Sequence, residues 1–122
     1  MGRIQTYPAH NRFCFMKYWS FVIKRLPANA MALYPFLLVK THMLGENDVI
    51  INHEKIHFKQ QQELMILLFY PLYFSHYLIN LIIYRNHYQA YFHICFEKEA
   101  YANERNANYL SQRKSFAWLK YL

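Results

Sequence analysis

The rhythm of polar and apolar positions changes several times along the chain. Residues 1–12 are polar and contain a proline, the pattern of a loosely held lead-in. Phe13 to Lys24 (FCFMKYWSFVIK) is aromatic, and its periodicity decides neither helix nor strand. Leu26-Pro27-Ala28-Asn29 is a breaker. Ala32 to Thr41 (ALYPFLLVKT) reads as a strand, and Pro35 places it at a sheet edge because proline brings no ladder donor. After the turn Gly45-Glu46-Asn47-Asp48, Asn47 or Asp48 caps a helix that begins near Val49. That helix continues past Glu63, with no breaker before Pro71.

Leu64 to Ile83 (LMILLFYPLYFSHYLINLII) is twenty residues without a formal charge. As a helix it extends about 30 Å, the thickness of a bilayer's hydrocarbon core, so a membrane-embedded segment over 64–83 is one expectation. A buried helical hairpin bending near Pro71 is the other, since a helix apolar on all sides needs cover on all sides. His76 within the run is expected to be hydrogen-bonded inside the fold. Residues 84–96 form an aromatic link, helical in its second half, and Glu97 to Leu110 (EKEAYANERNANYL) favours helix strongly. The basic, aromatic end RKSFAWLKYL reads as a terminal helix packing Phe116, Trp118 and Leu119.

At 122 residues the chain is expected to form one domain, 1–122. Hydrophobic residues make up 55 %, which excludes a disordered or linker-like chain. The formal charge of +7 suits an anionic partner. Nucleic acid is disfavoured, because the aromatics sit in apolar runs instead of alternating with Arg and Lys as stacking platforms need. Tyrosines beside long apolar runs point instead to a membrane surface. Cys14 and Cys95 lie far apart without metal-binding spacing and read as thiols of no chemical role. Met1 to Pro8 lacks the apolar stretch of a signal peptide.

The chemistry concentrates in Ile51-Asn52-His53-Glu54-Lys55-Ile56-His57, which contains H-E-x-x-H. On a helix His53 and His57 sit one turn apart and about 40° around the axis, so both imidazoles point the same way. Two such imidazoles are half of a tetrahedral zinc site, and Glu54 reaches the open coordination position as a general base. The alternative is an ordinary amphipathic helix with Glu54, Lys55 and Lys59 as solvated charges. A third protein ligand is required. Glu63 lies too far along the motif helix, and the downstream helix supplies Glu97 and Glu99. These two point about 200° apart, so only one can face a metal, leaving the other as a solvated helix charge.

H-E-x-x-H followed by a helix bearing E-x-x-A resembles the gluzincin zinc metallopeptidases, most closely their compact membrane-linked groups. These are the prenyl-peptide endopeptidases and the β-lactam sensor peptidases. The chain is also similar to small bacterial proteins with an HExxHxxQ…FExEAY signature, here His53 to Gln60 and Phe96 to Tyr101. The likeness covers two segments, about a quarter of the chain. It implies a mainly α, zincin-like minimal domain with a short strand or hairpin before the HExxH helix. It also implies a Zn2+ cofactor and a downstream glutamate completing the zinc shell. Phe96 favours Glu97 with Ala100 as that register. Glu99 with Ala102 and Asn103 is the alternative, restoring a polar neighbour for a ligand histidine. The strand ALYPFLLVK resembles the edge strand on which gluzincins lay an extended substrate.

The expected function is that of a zinc-dependent peptidase. His53, His57 and Glu97 hold the metal, and Glu54 is the catalytic base. The expected partners are a peptide or protein substrate, a membrane surface on the cytoplasmic side and a second copy of the chain in a homo-oligomer, with no nucleic acid. If the membrane is not engaged, the cytoplasm is the expected location. The competing expectation is a non-catalytic membrane-associated or interaction protein with a structural zinc site. Tyr101, His93 and His87 are candidates for an oxyanion donor by sequence proximity alone.

Overall fold

The computed structural model describes residues 2–3 and 17–122. Cys14, most of the polar lead-in and the start of the aromatic segment lie outside them. The fold is mainly α, with a small sheet and a β-hairpin ahead of the motif helix. Four strands make the sheet in the order β1-β2-β4-β3: β1 (Gly2–Arg3), β2 (Trp19–Val22), β3 (Ala30–Leu33) and β4 (Phe36–Val39). β1 runs antiparallel to β2, β2 parallel to β4, and β3 antiparallel to β4. The undecided aromatic segment thus contains a strand. Its alternation buries Tyr18 and Ser20 while Trp19 faces out.

ALYPFLLVKT does not form one edge strand. It contributes to both halves of a hairpin, with the cis Tyr34–Pro35 peptide in the turn. Proline is tolerated there because a tight turn asks for no ladder donor. β4 is an interior strand of the sheet, and β3 is the edge.

Five helices follow. α1 (Asp48–Glu63) is capped by Asn47, whose side chain accepts from the Val49 and Ile50 amides. It stops at Glu63 and does not run on to Pro71. The Met65 amide bonds the Gln62 carbonyl and the Ile66 amide the Gln61 carbonyl, the paired closure of a Schellman motif. Met65 holds the left-handed position usually given to glycine (φ 52°), and Ile66 follows at φ 64°. No breaker residue announces this end. Beyond it the chain folds back and seats Phe69 against Phe96, ring centroids 4.8 Å apart.

α2 (Phe69–Tyr84) therefore holds only part of the uncharged run, with Pro71 harmless in its first turn. No helix among the described residues is long and apolar enough to cross a membrane, and the run 64–83 divides between a turn and α2. The buried-hairpin alternative is only half met, since one side of α2 packs inward and the other is exposed. His76 accepts a hydrogen bond from the Cys95 amide.

α3 (His87–Phe92) leads to α4 (Cys95–Asn103) and a one-turn α5 (Tyr109–Gln112). The helix expected over 97–110 breaks after Asn103, where the Asn52 amide group sits among the carbonyls of Asn103, Glu104 and Asn106. Capturing those carbonyls ends α4 against α1. The chain closes in a 3-10 helix, Ala117–Tyr121. Of its expected anchors only Trp118 is buried, tilted on Phe96, while Phe116 and Leu119 stay exposed.

Candidate metal centre

α1 is pinned on two sides, and this aims its histidines. Phe58 packs with Tyr18, Leu37 and Val39 against the sheet, while Ile56 packs with Ala100 and Leu110 on the other flank. Between these anchors His53 and His57 face α4, and the fully buried Ala100 lets the two helices approach closely. Glu97 meets them from the first turn of α4. His53 Nε2 lies 3.2 Å from Glu97 Oε2, His57 Nε2 lies 3.3 Å from Glu97 Oε1, and the two Nε2 atoms are 3.1 Å apart. All three residues are buried, and their ligand atoms lie within 4.8 Å of one another, a group that could hold a metal ion.

The donor set fits a cation. His53 Nδ1 contacts Glu104 at 2.8 Å and His57 Nδ1 contacts Gln60 Oε1 at 2.7 Å. With Nδ1–H donating to these acceptors, each ring turns its Nε2 lone pair inward beside a carboxylate, the His-His-Glu chemistry that zinc takes. Burial alone would lower His57, but the negative charge of Glu97 and its hydrogen bond outweigh that and push His57 up to about 9. Burial alone would raise Glu97. The charge of His57 and hydrogen bonds from both imidazoles win, holding its carboxyl well below the carboxylate range. Glu54 is pushed up by burial, only partly offset by the charges of His57 and His53.

Glu99 is turned the other way, and it is not the solvated charge expected of the second carboxylate. It is fully buried and accepts from Gln60 Nε2, the Tyr109 hydroxyl and Arg113. Arg113 pairs also with Glu63, so the acid that lies too far for the metal has a structural partner. Gln60 joins the two systems, accepting from His57 while donating to Glu99 and to the Phe96 carbonyl.

Beside the centre opens a cleft of about 260 Å³ whose lining includes Glu54, His57, Glu97, Met31, Leu33 and Tyr70. The edge strand β3 borders it. Gln61 already engages that strand, donating to the Ala32 carbonyl at 2.8 Å and accepting from the Tyr34 amide at 2.7 Å. An extended peptide paired with β3 must therefore stop short of Ala32 or displace Gln61.

Tyr101, His93 and His87, the candidates named by sequence proximity, do not line this cleft. His93 bonds the Gln89 carbonyl, His87 the Tyr77 hydroxyl, and Tyr101 stacks edge-on against His53 with its hydroxyl on Tyr91. Tyr73 does line the cleft, and its hydroxyl donates to Glu97 Oε1 at 2.7 Å. Burial and the nearby charge of Glu97 raise its pKa, so it stays a donor. Nothing in the apolar run singles Tyr73 out. Gln60 and Glu104 do carry a signal, at one turn from His57 and two turns from Glu97. No family model matches this chain, and no match was found among the curated proteins or the solved structures compared with it.

Proposed function

We propose that the chain is a zinc-dependent peptidase. The observation that carries this reading is the buried convergence of His53, His57 and Glu97 beside a carboxylate, Glu54, that is not needed to bind the ion and borders an open cleft. His53, His57 and Glu97 would hold the metal, leaving room for water. Bound there, zinc supplies acidification of a water and polarisation of the scissile carbonyl. Glu54 takes the proton of the attacking water and passes it to the leaving amine, so water is added across the amide and both fragments leave neutral in proton count. Tyr73 donates its one O–H to Glu97 Oε1 and so orients a ligand carboxylate from the cleft wall.

The test is elemental analysis of the purified chain, with His53→Ala as control, followed by peptide hydrolysis with Glu54→Gln. Stoichiometric zinc and hydrolysis that vanishes in Glu54→Gln support the reading. Zinc retained by both wild type and Glu54→Gln, with no hydrolysis by either, favours a structural staple. One feature speaks for that second reading: the three ligands bridge α1 and α4, and Gln61 fills part of the strand edge a peptide would use.

A further inference from the structure

The peptidase reading makes no use of the outer face of α2. From Met65 to Tyr84 there is no formal charge. The inward side of α2 is accounted for: Phe69 packs on Phe96, Tyr73 bonds Glu97, Tyr77 bonds His87, and Asn80 donates to the Ala90 carbonyl. On the outward side Leu72, Phe74, Ile79, Ile82 and Ile83, with Leu67 of the preceding turn, are 46–79 % exposed. An apolar stripe this long on a water-facing helix marks an interaction surface.

Length, charge and flanking residues decide among occupants. Sixteen residues of helix reach about 24 Å, short of the roughly 30 Å hydrocarbon core, so α2 cannot cross a bilayer but can lie in its plane. A second copy of the chain would bring another +7 against the first, whereas an anionic lipid surface attracts that charge. Exposed Arg85 closes α2, and exposed Lys24 and Arg25 precede Pro27 and Ala28, which border the same cleft as Tyr70. Tyr70, Tyr84 and Tyr88 are exposed near the two ends of the helix, where amphipathic rings suit the headgroup level.

We infer that α2 and the turn before it dock in the plane of an anionic bilayer surface, apolar face down, with the cleft held beside the lipid. The docking is independent of whether the metal centre is catalytic.

The experiment is flotation of the full chain with vesicles of phosphatidylcholine alone or with one quarter phosphatidylglycerol, at low and high salt. The expected result is binding to the anionic vesicles that weakens with salt. It should fall about tenfold or more in Leu72→Gln/Ile79→Gln/Ile82→Gln, and several-fold in Lys24→Gln/Arg25→Gln/Arg85→Gln. Circular dichroism and metal uptake should be unchanged in both variants, because the substituted residues are exposed. Should the triple variant lose its fold, Ile82→Gln alone is the replacement, with a fall of a few fold expected. Wild type that stays with neither vesicle, or apolar variants that bind as well as wild type, overturns the inference. So does a dimer by light scattering that the apolar substitutions dissociate while vesicles remain unbound, which would give the face to a second copy.

Discussion

The interface between α1 and α4 and the outer face of α2 are built from neighbouring stretches of one chain, yet each inverts the usual partition. Between α1 and α4, His53, Glu54, His57, Gln60, Glu97 and Glu99 are buried. On α2, isoleucines, leucines and a phenylalanine face outward. The two inversions are stabilised differently. Buried polar groups persist where each finds a partner, and here imidazole, amide, carboxylate and guanidinium form a continuous chain from Glu104 through Glu97 and Gln60 to Arg113 and Glu63. An exposed apolar face has no such internal remedy. It is stabilised only by something outside the chain. The first inversion is thus stabilised within the fold, by groups that could also hold a metal ion, and the second asks for a surface beyond it.

The largest effect is expected at Glu54. Glu54→Gln keeps the size of the side chain and spares the residues that could hold a metal, so on the proposed peptidase reading hydrolysis should fall about a thousandfold while zinc content by elemental analysis stays whole. Next comes Glu99→Ala, which leaves the Arg113 guanidinium buried with only Glu63 beside it. A loss of about 3 kcal/mol in denaturant unfolding is expected, and metal content at saturating zinc should persist. Equal loss of zinc in Glu99→Ala and Glu97→Ala would erase the distinction between the two carboxylates.

A smaller effect is expected at the outer partner of His53. Glu104→Ala should weaken zinc affinity by about ten- to a hundredfold in competition with a chelator, by freeing the ring to rotate. pH then sharpens the same point. His57 in the metal-free chain is raised from 6.5 to about 9. The stability from its pairing with Glu97 is complete below 6.5 and lost as pH rises through about 9. Zinc competes with that proton, so calorimetry near pH 7.5 in buffers of different ionisation enthalpy should show about one proton released per zinc bound. The smallest effect belongs to the other surface. Ile82→Gln should change unfolding stability in water by less than about 0.5 kcal/mol, because that side chain is already in solvent.

Some of this was legible in the order of residues. The four-residue spacing of His53 and His57 places both rings on one face of any helix, and Asn47 caps that helix through atoms within three residues of it. Local backbone geometry settles such features wherever the segment ends up. The carboxylate opposite was narrowed to Glu97 or Glu99 by the few acids the chain offers, and the resemblance through Phe96 favoured Glu97. Which one faces the rings was decided by the docking of α4, with Ala100 against Ile56 and Arg113 returning from beyond α5 to claim Glu99.

The end of α1 at Glu63, the hairpin at Pro35 and the arrival of Tyr73 at Glu97 belong to the same class. Met65 and Ile66 carry no sequence signal for leaving the helix, yet both take left-handed conformations, closed by bonds to the Gln62 and Gln61 carbonyls. The chain alone determined the helical face that carries the imidazoles, because a fixed rise and rotation per residue need no partner. Contacts between residues distant in sequence chose the facing acid and the exposed face of α2, because only tertiary packing decides which side of a helix finds cover.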